Sequence, residues 1–306
     1  MYLSGSEVPY PSPLERVREF FTRPGLLSTE QIDRCVQSAM AEDIGTGDLT
    51  TRLLVPRDAH GKARIVAKAP GRVAGVGVAR RCFEIYDDQL NVTVVSQEGA
   101  RVAPGDQVLV VEGALSSIVT AERVALNFLR RMCGIATGTA RLVELLGPCR
   151  TEVLDTRKTA PGLRALDKYA VRMGGGLSHR SGLDDLILVK ENHIEAAGGL
   201  TNALPRLRDL VVAGHLVEVE VTGLDHALAV AETGVSLLLL DNMRLQEMAE
   251  VVMALTAQLG PGRPALEASG NITRDTIAAV GATGVDYVSS GSLTHSTSDL
   301  DLSLRV

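Results

Sequence analysis

The sequence predicts an α/β protein in which helices cover a parallel sheet, and three observations lead to this prediction. Six short apolar segments alternate with amphipathic stretches over the second half of the chain. Short valine-rich segments with glycines between them occupy residues 61–113, and the last eight residues alternate strictly between polar and apolar positions. Strands separated by helices indicate a parallel sheet covered on its faces, and six such units favour a closed barrel. The same pattern is compatible with an open sheet.

The N-terminal region combines a proline-rich segment with a predicted helix. Residues 1–25 contain four prolines, which predict a loosely ordered lead-in. Ser28 and Gln31 have the spacing of a capping box, in which two side chains satisfy backbone N–H groups at a helix start. The residues that follow at helical spacing predict one buried face. They are Ile32, Cys35, Val36, Ala39 and Met40.

Residues 61–113 are predicted to form short β-strands. Leu90, Val92 and Val94 alternate with polar residues, a pattern typical of a half-buried strand. The stretch EGARVAPGDQVLVVEG also resembles the hairpins of lipoyl and biotinyl carrier domains, which carry a modified lysine at an exposed tip. Neither Lys62 nor Lys68 lies in such a tip, so a carrier module is the weaker interpretation.

The second half begins with a long helical run that we expect to break near Gly134. The strands predicted after it cover residues 151–155, 185–189, 216–221, 236–240, 264–269 and 286–290. The tail, DLDLSLRV, alternates like an amphipathic strand rather than a buried barrel strand. We therefore expect the tail to return to the N-terminal sheet.

Composition limits the classes of function. The chain has 306 residues, a net charge of −6 and 3% aromatic residues, which argues against nucleic-acid binding by base stacking or by a basic surface. No apolar run approaches the ~18 residues of a membrane span, and the N-terminus lacks a signal-peptide pattern. The four cysteines form no CxxC pair and no zinc-ligand spacing with histidine. These features predict a cytoplasmic protein with reduced thiols and no membrane partner.

Polar or charged residues end all six predicted strands. The carboxyl ends of parallel strands meet at one rim of a barrel, and barrel enzymes place their active sites there. One such residue is usually a solvated loop position, but six on one rim predict a site. The residues are Asp155 to Lys158, Lys190, Glu218 with Glu220, Asp241 with Asn242, Ser269 to Asn271, and Ser289 to Gly291.

The cations of this rim predict an anionic substrate. Arg157, Lys158 and Lys190 follow strands, and the segment MGGGLSHR adds His179 and Arg180. An alternative is that Arg157 and Lys158 pair with Asp155 and Asp184 as surface ion bridges. Arg164 and Lys168, on the following helix, are predicted to be solvated or at an interface, and His193, His215 and His226 to be structural or on the surface.

The acidic and small residues of the rim predict a metal and a phosphate. Glu220 and Asp241 lie on neighbouring strands and suit Mg²⁺, which takes few protein ligands and keeps waters or substrate phosphates. Glu218 lies deeper on the same strand face, so Glu220 is the predicted ligand. The Ser-Gly segments after the last two predicted strands let backbone N–H groups approach a phosphate. The set predicts a substrate that carries a phosphate and a diphosphate.

These motifs together resemble one enzyme family, quinolinate phosphoribosyltransferase, also called nicotinate-nucleotide pyrophosphorylase. The resemblance runs from about residue 26 to the end of the chain. The motifs that carry it are AEDIGTGDLTT, AERVALNFLRRMCGIAT, DTRKTAPGLRALDKYAV, GGGLSHRSGLDDLILVKENHI, VEVEV, LLLDNM, LEASGNIT and VSSGSLTHS.

The resemblance implies a fold and an assembly. It implies an N-terminal open α/β sandwich, which we assign to residues 26–125, and a TIM-like barrel with fewer than eight strands over 126–293. Residues 1–25 are then the lead-in, and 294–306 the tail strand. The family also implies a homodimer in which the N-terminal domain of one subunit covers the barrel mouth of the other, and it leaves open a further assembly into hexamers.

The resemblance also implies a role for each rim residue. Arg157, Arg180 and Lys190 would hold the two carboxylates of quinolinate, with His179 lining the pocket and Arg123 delivered across the dimer interface. Lys158, Glu220 and Asp241 would be catalytic, and the two carboxylates would also bind Mg²⁺. The implied ligands of 5-phosphoribosyl 1-pyrophosphate (PRPP) are Thr156, Lys158, Lys190, Glu220, Asp241, Ser269, Gly270, Asn271, Ser290, Gly291, Ser292 and His295.

The activity implied is Mg²⁺-dependent transfer of phosphoribose from PRPP to the ring nitrogen of quinolinate with loss of CO₂, a step of NAD biosynthesis. Three rivals remain. A nicotinate phosphoribosyltransferase would bind one carboxylate and need fewer cations. A paralogue of altered substrate, like those found beside molybdate transport, would keep the fold. A non-catalytic anion-binding or carrier module would not need Glu220 and Asp241 together.

Overall fold

The computed structural model describes residues 11–23 and 27–306. The chain forms two compact units. The first unit comprises Met1–Arg23, Pro148–Glu152 and Gly182–Ser289, and the second comprises Pro24–Gly147, Val153–Ser181 and Ser290–Val306. The domain boundaries expected at residues 125 and 293 stay predictions.

The described ranges contain both strands and helices. The strands are β1 (His60–Ala67), β2 (Gly71–Arg72), β3 (Asn91–Val94), β4 (Arg101–Val102), β5 (Gln107–Ala114), β6 (Glu152–Leu154), β7 (Ile187–Val189), β8 (Val217–Val221), β9 (Leu237–Asp241), β10 (Ala265–Ser269), β11 (Tyr287–Ser289) and β12 (Leu302–Arg305). The helices are α1 (Pro13–Thr22), α2 (Thr29–Ile44), α3 (Leu49–Leu54), α4 (Val76–Tyr86), α5 (Leu115–Leu146), α6 (Arg164–Met173), α7 (Glu191–Ala196), α8 (Leu200–Val212), α9 (Leu224–Ala231), α10 (Leu245–Leu259), α11 (Ile277–Gly281) and α12 (Ser292–His295).

The six strands predicted for the second half form one sheet, in the order β6-β11-β10-β9-β8-β7. The recorded ladders between β7, β8, β9, β10 and β11 are parallel. Leu237 to Leu240 of β9 are all buried, as expected for a strand covered on both faces. A parallel sheet with fewer than eight strands is therefore confirmed.

The second unit is built on an antiparallel sheet in the order β12-β1-β5-β3. Helices α4 and α5 pack on each other and on this sheet, so a single sheet layer faces a helix layer. The tail strand β12 pairs antiparallel with β1 from Arg64↔Arg305 to Ala67↔Leu302. Leu302 of the tail is buried because its alternation places it on the core face.

Helix α5 runs unbroken for 32 residues, so the predicted break at Gly134 is wrong. The glycine serves a close approach instead. A Cβ at position 134 would lie 2.2 Å from the carbonyl oxygen of Ser298, at the start of the tail. The missing side chain therefore lets the backbone that leads to β12 pass against the helix.

We expect Gly134→Ala to destabilise the protein by about 1–3 kcal/mol, because the tail backbone must move to admit the methyl group. Gly138→Ala is the matched control, since a Cβ at position 138 in the same helix meets nothing within 4 Å. Alanine there should stabilise by about 0.5–1 kcal/mol through its better helix propensity. Thermal unfolding of both variants checks this, and equal melting temperatures would contradict the close approach.

The prediction of a loosely ordered lead-in is wrong for residues 11–23, which contain helix α1. Ser12 and Glu15 form a capping box, and Pro13 occupies the first turn, where a missing N–H costs nothing. Val17 and Phe21 are fully buried, and the Phe21 ring meets the Tyr287 ring edge-on with centroids 5.1 Å apart. Residues 1–10, 24 and 25 of the predicted lead-in lie outside the described residues. The capping box of Ser28 and Gln31 at α2 is confirmed.

Candidate active site

Asp155, at the end of β6, lies in a buried hydrogen-bond network of the second unit. The Lys168 ammonium on α6 donates to the Asp155 carboxylate and, at 3.1 Å, to the carbonyl oxygen of His179. The His179 backbone N–H donates to the same carboxylate oxygen at 3.0 Å. Burial raises the pKa of Asp155, while the Lys168 charge opposes the rise. The prediction that Lys168 is solvated or at an interface is therefore wrong, because its charge is used inside the fold.

This network leaves the two adjacent cations without an internal anion. Asp155 is taken by Lys168, so the alternative in which it neutralises Arg157 or Lys158 is wrong. In the part of the chain that the structure describes, neither cation makes an ion pair. The Arg157 Nε is buried without a hydrogen-bond partner, and Lys158 is exposed. Two unneutralised cations at a strand end are suited to bind anions from solution.

The loop that carries these cations is held by its neighbours. The Lys158 N–H donates to Thr156 Oγ1 at 3.0 Å, and the Lys158 carbonyl accepts from Thr294 Oγ1 at 2.8 Å. Arg164, predicted to be solvated or at an interface, donates from Nε to Thr159 Oγ1 and from Nη1 to the Ser181 carbonyl. The backbone around Arg157 and Lys158 is therefore fixed before any substrate binds.

His179 and Arg180 are both buried, each at 6% exposure. The backbone N–H of Arg180 donates to His179 Nδ1 at 2.7 Å. Because Nδ1 accepts this hydrogen bond, the neutral ring carries its proton on Nε2.

The segment after β11 brings a second candidate anion site next to Lys158, within the same unit. The Ser290 N–H donates to the Leu154 carbonyl at 3.2 Å, and the Ser290 and Ser292 hydroxyls lie 2.7 Å apart. A Cβ at Gly291 would lie 2.7 Å from Lys158 Cδ and 3.1 Å from His295 Cδ2. Glycine at this position therefore lets the Lys158 and His295 side chains pack against its backbone.

The first unit contributes an ion pair at the ends of two neighbouring strands. Lys190, directly after β7, donates from Nζ to Glu220 Oε2 of β8 at 2.9 Å. Half of the Lys190 side chain is exposed, whereas Glu218 lies fully buried two residues deeper in β8. The predicted choice of Glu220 over Glu218 as the rim residue agrees with this difference in depth.

Asp241 and Ser269 are register partners at the carboxyl ends of β9 and β10. Asn242 Nδ2 donates to Asp241 Oδ2 at 2.9 Å, and Asn271 Nδ2 donates to Asn242 Oδ1 at 3.3 Å. Both asparagines adopt left-handed backbone, with φ of 53° at Asn242 and 51° at Asn271. A Cβ at Gly270 would lie 2.2 Å from Asn242 Oδ1. Glycine at this position therefore leaves room for the hydrogen bonds of the Asn242 side chain.

The carboxylates of Glu220 and Asp241 fit a divalent cation chemically. Mg²⁺ binds hard oxygen ligands, often one or two carboxylates, and keeps waters or phosphates. Asn242 occupies one Asp241 oxygen and thereby orients the carboxylate, while both acidic side chains keep partial solvent access. These observations support the donor set and give no metal geometry.

The predicted residues are distributed over both units. The second unit contains Arg123, Thr156, Arg157, Lys158, His179, Arg180, Ser290, Gly291, Ser292 and His295, and the first contains Lys190, Glu220, Asp241, Ser269, Gly270 and Asn271. Arg123 lies exposed on α5, and the described contacts do not link it to Lys158 or His295.

Two family models cover almost all of this chain. The C-terminal domain model of quinolinate phosphoribosyl transferase matches residues 135–305, and the N-terminal domain model matches residues 48–133. The chain belongs to the quinolinate phosphoribosyltransferase family. Membership confirms the resemblance stated from the motifs, and it makes the protein an enzyme of the pentosyltransferase type.

Curated relatives and solved structures of the family agree over nearly the whole length. A probable nicotinate-nucleotide pyrophosphorylase of Synechocystis is 42% identical over 90% of this chain and 92% of its own. The chloroplastic enzyme of Arabidopsis thaliana is 40% identical over 93% of this chain and 85% of its own. The structure of the nicotinate-nucleotide pyrophosphorylase from Francisella tularensis superposes with a TM-score of 0.86 at 37% identity, covering 92% of this chain and 98% of that one. The predicted fold class is thereby confirmed.

More distant structures share the fold alone. Human nicotinic acid phosphoribosyltransferase has a TM-score of 0.55 at 14% identity, covering 92% of this chain and 74% of its own. That level of identity says nothing about which pyridine substrate this family member accepts. Among the described residues, every helix is too short or too polar to cross a membrane.

Sequence reasoning placed Asn242 on the rim without giving it a role, and it missed the buried role of Lys168. Asn242 follows Asp241 in the motif LLLDNM, and the signal was an Asn directly after a buried strand, a residue type that tolerates left-handed backbone. Lys168 gave no such signal, because its partner Asp155 lies 13 positions away and only the fold brings the two charges together.

Proposed function

We propose that this protein transfers the phosphoribosyl group of PRPP to the ring nitrogen of quinolinate and releases CO₂, so that it forms nicotinate mononucleotide and diphosphate for NAD biosynthesis. The proposal rests on family membership and on one structural observation. Arg157 and Lys158 stand side by side without an internal anion, because Lys168 already neutralises Asp155. A substrate pair that delivers carboxylates and a diphosphate supplies the missing charges.

Quinolinate recognition falls to the cations and the oriented histidine. We assign Arg157, Arg180 and Lys190 to the two carboxylates, because a planar guanidinium can hold a carboxylate with two parallel hydrogen bonds. His179 would line the same pocket. Arg123 would complete the pocket from a second copy of the chain, which accords with its exposed position on α5.

The residues assigned to PRPP lie at the strand ends and in the segment after β11. We assign the 5′-phosphate to the backbone and hydroxyls of Ser269 to Asn271 and of Ser290 to Ser292, with His295 beside them. Thr156 shapes the loop through its contact with the Lys158 N–H. Glu220 and Asp241 would take the ribose hydroxyls and hold Mg²⁺, and Lys190 links the two substrate sites through its ion pair with Glu220.

The reaction needs no protein nucleophile. The pyridine nitrogen attacks C1 of the ribose as the C1–O bond to diphosphate breaks, so positioning and charge neutralisation supply the catalysis. Lys158 neutralises the departing diphosphate, and Mg²⁺ held by Glu220 and Asp241 would supply further positive charge to its oxygens. The pyridinium then stabilises the electron pair that the breaking C2–carboxylate bond leaves on C2, so CO₂ leaves and C2 takes a proton from water. Arg157 keeps the ring fixed through the 3-carboxylate.

We further propose a homodimer with shared active sites as the working form, and hexamers as a possible assembly of such dimers. The exposed position of Arg123 on α5 supports the sharing, because it leaves the guanidinium accessible to a second copy of the chain. A reducing compartment such as the cytoplasm accords with the four cysteines, which are all free.

The test is turnover by the purified protein. With PRPP, Mg²⁺ and quinolinate, we expect nicotinate mononucleotide and CO₂ in equal amounts. EDTA in excess should abolish the reaction, and Mg²⁺ added back should restore it. Absence of product from quinolinate would contradict the proposed reaction, and full activity in EDTA would contradict the metal role alone.

A further inference from the structure

A buried ion pair of the second unit lies behind both candidate substrate segments on that unit. Arg131 on α5 donates from Nε to Asp167 Oδ1 at 2.9 Å and from Nη2 to Asp167 Oδ2 at 2.7 Å. The Asp167 side chain on α6 is fully buried, whereas a quarter of the Arg131 side chain is exposed. Neither residue is among the site residues predicted from the sequence.

Each residue of this pair also forms a hydrogen bond to a different protein segment that is assigned to substrate binding. Asp167 Oδ2 accepts from the backbone N–H of Ala160 at 3.1 Å, in the loop that carries Arg157 and Lys158. Arg131 Nη2 donates to the carbonyl oxygen of Thr294 at 3.1 Å, in the short helix α12 that follows Ser290 and Gly291. The pair thus holds two segments that are far apart in sequence.

A third contact closes the arrangement into a ring. Thr294 Oγ1 donates to the Lys158 carbonyl at 2.8 Å, and Thr294 is itself buried. The ring therefore runs from Asp167 to Ala160, along the loop to Lys158, across to Thr294, and back through Arg131. Its members fix the distance between the Lys158 backbone and the segment that carries Ser292 and His295.

We infer that Arg131 and Asp167 are a positioning pair for the phosphoribosyl substrate. The pair touches no substrate atom. It sets the separation between the cation that meets the diphosphate and the segment that meets the 5′-phosphate, two groups at opposite ends of the same PRPP molecule. This inference rests on the proposed function for the identity of the substrate, and on the ring of contacts for its geometry.

The pair is predicted to affect PRPP more than quinolinate. Lys158 and the segment of α12 are both assigned to PRPP. The loop also carries Arg157, but quinolinate is held in addition by Arg180 and Lys190, which the ring does not include. A misplacement of about 1 Å can reduce a rate by about 100-fold, so loss of the pair should be visible in steady-state kinetics.

Asp167→Asn is the first test variant, because it keeps the shape and one acceptor but removes the charge. We expect the KM for PRPP to rise by about 10-fold or more, and the KM for quinolinate by less than about 3-fold, as expected when one of several charged hydrogen bonds to a substrate segment is weakened. The matched control is Asp286→Asn. Asp286, directly before β11, forms an equally bidentate, mostly buried pair with Arg263, which precedes β10. It also accepts from the Leu266 N–H near the start of β10.

The control should lower the melting temperature without changing either KM, because its pair lies at the amino ends of the strands. A second variant separates stability from positioning. Replacing both charges, in Arg131→Met/Asp167→Leu, removes the buried pair as a unit, a change that often leaves stability intact. We expect the melting temperature of this double variant to return toward the wild-type value. Its KM for PRPP should stay raised, because Ala160 and Thr294 still lack their hydrogen-bond partners Asp167 and Arg131.

Amide hydrogen exchange supplies a readout that needs no turnover. Asp167→Asn should speed exchange in peptides that cover residues 157–163 and 291–296, and Asp286→Asn should not. Unchanged exchange in both peptides overturns the inference whether or not quinolinate is turned over. Active wild-type enzyme with equal KM changes for Asp167→Asn and Asp286→Asn overturns it as well. Wild-type enzyme that lacks turnover contradicts the proposed function and leaves the exchange result to decide the pair.

Discussion

Arg157→Ala is expected to reduce kcat/KM for quinolinate by about 100-fold or more, since loss of one partner of a desolvated charge pair costs about 2–5 kcal/mol. The KM for PRPP should change by less than about 3-fold, because Arg157 is assigned to the pyridine carboxylate. Lys158→Ala should give the converse result. It should mainly lower kcat/KM for PRPP and kcat. Initial rates with each substrate varied in turn measure all four effects.

Arg157→Lys is the control for charge. It keeps one positive charge but loses the planar pair of donors, so it should recover only part of the activity. Two adjacent residues that respond to different substrates would explain why the fold keeps two cations side by side. Equal losses toward both substrates in Arg157→Ala and Lys158→Ala would contradict the division of roles.

Arg123→Ala and Lys190→Ala should each inactivate the enzyme, and a mixture of the two should recover activity. If Arg123 reaches the site of a second copy, one of the two sites in a mixed dimer has both wild-type residues. Random exchange makes about half of the dimers mixed, so about one quarter of wild-type activity is expected. The measurement is turnover after mild denaturation and refolding of the two variants together.

The control for this experiment is a mixture of Lys190→Ala with Arg157→Ala. Both of these residues are assigned to the same chain's part of the site, so one site of a mixed dimer lacks Arg157 and the other lacks Lys190. No recovery is expected there. Recovery in the control mixture, or none with Arg123→Ala after proven subunit exchange, would contradict a site shared between copies.

The strands and rim of this enzyme could be predicted because their signals are local. Leu237 to Leu240 read as a buried strand directly from their composition, and the residues that end each strand follow from the chain order. The alternation of the tail likewise identified a strand of a different kind, which pairs with β1. Glu220 could be preferred to Glu218 because depth along a strand is counted in residues.

The features that sequence reasoning missed depend on contacts between distant positions. The sequence around Gly134 looks like a helix break, and only the approach of Ser298 explains the glycine. The prolines near the N-terminus suggested a loose segment, but Phe21 is buried against Tyr287, 266 positions later (287 − 21). Lys168 looked solvated because its partner Asp155 precedes it by more than a helix turn. The role of each was set by packing that no local pattern contains.

The most direct test of the central claim compares quinolinate with nicotinate in the same preparation. The cations Arg123, Arg157, Arg180 and Lys190 are more than one carboxylate requires, so the account predicts product from quinolinate with one CO₂ per nicotinate mononucleotide. It predicts kcat/KM for nicotinate lower by at least about 100-fold, since a site that holds a substrate group through hydrogen bonds discriminates against an analogue that lacks this group. Product formed from nicotinate as readily as from quinolinate would contradict the assignment of these cations.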